Sequence, residues 1–173
     1  MADVIGEARA TVQPEARAYQ HGEDRPLGGY VLVMAVFGAL VAGAAGLAAE
    51  TGRKVPTLGP FDLVLMALGT HKLSRTLSKD AVTSPLRAPF TRYQDTGGPG
   101  EVMEEVRHTS QLRHAIGELI TCPLCLDMWI ATGFALGMVF APRFTRLVAF
   151  TFAALTGADF LQLGYAAAQQ AQE

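Results

Sequence analysis

Residues Leu27 to Ala49 read LGGYVLVMAVFGALVAGAAGLAA, 23 positions without a charge. About 20 apolar residues in a helix span the ~30 Å hydrocarbon core of a bilayer, so this run constrains the chain more than any other stretch. It lies too late and is too long for the apolar core of a cleaved signal. Tyr30 stands near one end, as amphipathic aromatics do at a membrane interface. The alternative, a buried helix of a soluble protein, fits so long an uncharged run poorly.

The rest of the composition agrees with an apolar part joined to a polar part. Charged residues are 17% of the 173, against roughly 25% in soluble domains. The net charge of −2 gives no pull toward nucleic acid. There are only two cysteines, and they stand three apart, so a disulfide framework of the secreted kind is excluded. The 18 glycines suit helices that approach closely in a membrane.

The expected architecture is all-α: an integral membrane bundle of about four transmembrane helices plus a cytoplasmic amphipathic helix. Residues 1–26 form a polar, mobile or loosely helical tail. Residues 27–168 form the membrane domain, with spans near 27–49, 58–77, 124–142 and 147–168, and residues 169–173 close the chain. Between the second and third spans, 78–100 reads as loop because of its prolines and the run Gly97-Gly98-Pro99-Gly100. Glu101 to Ile120 reads as one helix with acidic residues in its first turn. Thr121-Cys122-Pro123 reads as the next helix start, since proline is favoured there. With four spans, Arg53, Lys54, Arg143 and Arg146 face one side, and the other ten of the 14 Lys and Arg face the opposite side. That bias places both termini and the cysteines in the cytoplasm, at the inner (plasma) membrane.

Three groups of residues can carry chemistry. Cys122 and Cys125 share a helix start, where amide dipoles favour a thiolate. They read as packing, as a thiol redox pair, or as half of a zinc or iron site completed by His108 or His114. Glu118 follows His114 by four, so the two share a helix face; the alternative is a glutamate at the membrane interface. Asp159 lies inside the last span, roughly 18 Å along it, level with His71 and Arg75 at roughly 20 and 25 Å along the second. Acids at such depth are usually paired, and a contact of Asp159 with His71 or Arg75 is expected, either as a proton or ligand site or as a clamp between helices. The other basic residues, Arg87 among them, read as topology signals in contact with anionic headgroups. Walker, Gly-x-Gly-x-x-Gly, His-Glu-x-x-His and Gly-x-Ser-x-Gly patterns are absent from the sequence.

Three segments taken together resemble a known bacterial family. They are Thr70-His71-Lys72-Leu73-Ser74-Arg75 followed by Asp80, then Pro85-Leu86-Arg87-Ala88-Pro89, then Gly117 to Leu126 with Trp129. The family is the domain of unknown function DUF1360, and the resemblance covers roughly residues 58–168. Lys72 stands where the family leads one to expect arginine. The charge is kept and the planar fork is lost. The resemblance implies a small integral membrane protein and no particular reaction. The expected role is a structural or partner-binding membrane component, with the bilayer and a protein partner or second copy as contacts. A thiol redox or metal-binding membrane protein is the first alternative. A small transporter or proton-handling protein using Asp159 and His71 is the second.

Overall fold

A computed structural model describes residues 14–16, 18–22 and 25–172. The reading of 1–26 as a tail therefore lies mostly outside the described residues, as does Glu173. The elements are α1 (Leu27–Glu50), α2 (Pro60–Lys79), a 3-10 turn (Ala81–Thr83), the single turn α3 (Ser84–Arg87), β1 (Thr91–Thr96), β2 (Val102–Val106), α4 (Gln111–Thr121), α5 (Pro123–Phe140) and α6 (Pro142–Gln170). Helices α2, α5 and α6 each open on a proline, whose missing N–H is no loss in a first turn.

The chain is mostly helical, and α1, α5 and α6 are each long and apolar enough to cross a membrane. Helix α2 matches their length but carries Asp62, Lys72, Arg75 and Lys79. Its place in the bundle is nevertheless central. It packs against α6 and α5, around a core of Leu65, Phe134, Ala149 and Ala153. Gly69 lets the α2 and α6 backbones meet, because a Cβ there would stand 3.0 Å from the Ala149 carbonyl oxygen. Nearby, the Thr156 hydroxyl donates to the Leu68 carbonyl at 2.9 Å across the same interface.

Helix α1 is different. It leans on α4 through its first turns, touches α5 where Phe37 meets Trp129 edge-to-face at 5.0 Å, and leaves most of its length uncovered. At one end of the bundle, Arg53 from the α1–α2 loop donates to the Phe140 carbonyl at 2.7 Å. At that same end Arg146 pairs with Asp62 at 2.7 Å.

Three expectations are corrected here. The fold is not purely helical, because β1 and β2 form an antiparallel hairpin, with Tyr93 opposite Glu104 and a register shift between Tyr93 and Asp95. Consequently 78–100 is not plain loop, and Glu101–Ile120 is not one helix. The chain reverses through Gly97–Gly100. Val102 and Val106 then lie in the second strand, and the helix starts only after Ser110, whose side chain caps the Arg113 N–H at 3.3 Å.

Candidate functional site

The polar half of α2 carries Lys72, Arg75 and Lys79, three of the four charged side chains of that helix. His71, Lys72 and Arg75 emerge from two successive turns facing α6 and the hairpin. The Lys72 Nζ stands 2.8 Å from the Asp159 carboxylate of α6, and the Arg75 guanidinium pairs with Glu101 just before β2. Between these pairs lies a cavity of about 720 Å³, lined also by Asp80, Gly98 and Pro99 from the connection and by Phe160 and Leu163 from α6. The sequence-derived trio of Asp159, His71 and Arg75 thus lines one cavity. The expected partner of Asp159 was wrong, however. Lys72 takes it, because Arg75 is drawn to Glu101. An ion pair on a flexible ammonium needs no guanidinium fork, which is consistent with lysine at this position. Among the described residues, neither the His71 ring nor the Asp80 carboxylate has a hydrogen-bond or ion-pair partner.

Arg87 is a residue whose role sequence reasoning missed. Its side chain is 1% exposed and meets Glu104 of β2, itself 6% exposed, at 2.6 Å. The same guanidinium donates to the carbonyls of Leu77 and Asp80, at 2.7 and 3.0 Å, and to the Thr83 hydroxyl at 2.7 Å. One buried cation therefore ties the end of α2, the 3-10 turn and the hairpin together, and it holds Asp80 and Glu101 at the cavity. It is no headgroup contact. The available signal was its place in the Pro85–Pro89 segment of the family resemblance.

Glu118 forms a second cluster. It stands 3.4 Å from His114 and 3.6 Å from Arg25, and it accepts a hydrogen bond from the Tyr30 hydroxyl. The shared face with His114 is present, and the cluster fastens α1 to α4. Gly29 makes this docking possible, since a Cβ there would lie 2.3 Å from the Gln111 carbonyl oxygen.

The cysteines do not join the histidines. His108 and His114 stack edge-to-face at 4.0 Å between ring centroids. Cys122 comes eight residues after His114, about 12 Å of helical rise further on. Among the described residues no three of His, Cys, Asp and Glu converge to hold a metal ion, so the zinc or iron site is corrected. Cys122 instead caps α5, its sulfur accepting the Cys125 N–H at 3.3 Å. Cys122→Ser should keep this cap, and Cys122→Ala should lower stability by about 1 kcal/mol. Thermal unfolding in detergent measures both, and equal losses for the two would remove the capping role.

Residues 65–165 match the family described as Protein of unknown function (DUF1360). The chain belongs to the DUF1360 family. It is also 33% identical over 72 residues to the sporulation protein YjcA of Bacillus subtilis (strain 168), a match covering 40% of this chain. The chain spans about 60% of the length of that curated relative. No solved structure matches it. The DUF1360 region includes every charged residue of the cavity, the Arg87 hub and the thiol cap. It leaves out α1, so Glu118 lies inside the DUF1360 region while its partners Arg25 and Tyr30 lie outside. The region also holds a pocket of about 430 Å³ between α2 and α5 that sequence reasoning missed, lined by Thr70, His71 and Asp127 among apolar side chains. There the Thr70 hydroxyl and one Asp127 oxygen are buried without a hydrogen-bond partner among the described residues.

Proposed function

We propose that the chain is a four-span integral membrane protein of the bacterial plasma membrane that acts as a binding component and not as an enzyme. The observation that carries this is the orientation of α2. Gly69, Thr70, Ser74 and Ser78 are buried against the bundle, while Phe61, Leu63, Val64 and Leu68 face outward. A soluble amphipathic helix does the opposite. Two of its charges are taken up by α6, Asp62 by Arg146 and Lys72 by Asp159, and intramembrane charges are tolerated in such pairs. At ~1.5 Å per residue its 20 residues reach about 30 Å, the thickness of the hydrocarbon core. With α2 as the fourth span, both termini, the hairpin and Cys122 lie on the cytoplasmic side, where lysine and arginine are in excess. The binding role rests on the charged cavity at that side.

A charge exchange tests the pairing. Lys72→Asp and Asp159→Lys, each alone, set like charges together and should lower the unfolding midpoint in detergent. The double exchange should recover about 0.5–3 kcal/mol of coupling. Strict additivity of the two losses would mean that Asp159 does not neutralise Lys72, and the charge-pairing support for the fourth span would be lost.

A further inference from the structure

The cavity beside α2 has two kinds of wall, and together they define a ligand. Its volume of about 720 Å³ lies within the ~300–1,000 Å³ of small-molecule sites. One wall is charged, with Lys72 and Arg75 facing Asp80, Glu101 and Asp159. The other is apolar, with Phe160 and Leu163 of α6 exposed beside it.

A lone phosphate here would meet three carboxylates, and a lone amine would meet two cations. Both mismatches are repulsive. A molecule carrying a phosphate and an ammonium a few atoms apart meets neither. We infer that this cavity binds a zwitterionic phosphate–ammonium headgroup, that of an ethanolamine phospholipid, whose acyl chains run from Phe160 toward the middle of the bilayer.

The two unpartnered side chains supply the contacts. The Asp80 carboxylate accepts from the ammonium, and the His71 ring faces the phosphate, with Lys72 and Arg75 on its flanks. Charge-assisted hydrogen bonds of this sort are the strong ones. The depth agrees as well. Asp80 follows the last residue of α2, whose 20 residues reach about 30 Å, so in a four-span arrangement it lies at the far boundary of the hydrocarbon core. Headgroups lie there. The inference rests on that reading for the lipid as the source of the headgroup.

The test uses the full chain, delipidated in detergent, with binding read by native mass spectrometry. The probes are phosphatidylethanolamine, phosphatidylglycerol and soluble glycerophosphoethanolamine. The expected result is phosphatidylethanolamine binding about tenfold tighter than phosphatidylglycerol. Asp80→Asn should abolish that preference. Because the Asp80 carboxylate has no partner among the described residues, the variant should fold as the parent does, and an unchanged unfolding midpoint checks this. His71→Ala should weaken both lipids. Soluble glycerophosphoethanolamine binding as tightly as the lipid would support the headgroup chemistry and make its source a soluble molecule. Equal affinity for the two lipids, or an unchanged preference in Asp80→Asn, would overturn the inference. Failure of α2 to cross the membrane would leave the soluble probe's dependence on Asp80 intact, so the two failures read differently.

Discussion

Arg87→Ala is expected to lower the stability of the connection between α2 and α4 by about 3–5 kcal/mol, the cost of removing one partner from a buried ion pair. The loss exceeds that of a surface pair because Glu104, 6% exposed, would keep its charge with no cation beside it. In addition, the carbonyls of Leu77 and Asp80 would each lose a donor, and unsatisfied buried acceptors add to the cost. Replacing both members, as in Arg87→Met with Glu104→Leu, should recover much of the loss, since a buried ion pair often contributes little over apolar residues of similar volume. Proteolysis in detergent reads the result, because the hairpin should become cleavable in Arg87→Ala and stay protected in the double variant. A hairpin equally protected in Arg87→Ala would mean that the guanidinium does not hold it.

Gly29→Leu should separate α1 from α4. Even the first carbon of the new side chain falls 2.3 Å from a backbone oxygen and 2.7 Å from the Ala115 Cβ, so a helix has to move. Overpacking of this sort costs about 3 kcal/mol, and it also pulls Tyr30 away from Glu118. The chain contains one tryptophan, and Phe37 of α1 covers Trp129 at 5.0 Å. Displacement of α1 should therefore raise the quenching of Trp129 by a brominated detergent. An unchanged emission and unfolding midpoint would show that α1 and α4 do not meet at Gly29.

These two residues also mark what could be read from the sequence. The helix over Leu27–Glu50 was legible because 23 uncharged positions admit few structures in water or lipid. The start of α5 was legible because proline after Cys122 carries a local signal. The hairpin was not. Thr91–Thr96 is polar, and Val102-Met103-Glu104-Glu105-Val106 lacks a clean alternation of apolar and polar residues. Its two adjacent acids imitate the first turn of a helix. What makes it a strand is the buried Arg87, 17 residues away from Glu104, and no local pattern carries that information.

The Asp159 pair failed for a related reason. Rise per residue gave the correct depth on α2. Depth does not give direction around the helix, where one residue turns the side chain by about 100°. Lys72 and His71 share a level, and it is the Lys72 ammonium that reaches Asp159. The cysteine–histidine site failed because His108 lies before α4 and His114 in its first turn, while the thiols lie just beyond its far end.

The central claim is that α2 crosses the membrane. In a Cys122→Ser, Cys125→Ser background, Thr57→Cys places a single thiol in the α1–α2 loop and Thr96→Cys places one in the hairpin. Intact cells are treated with a membrane-impermeant maleimide. The account predicts labelling at residue 57 from outside, and at residue 96 only after the cells are opened. Labelling of both from the same side would mean that α2 does not cross, and the four-span arrangement would be wrong.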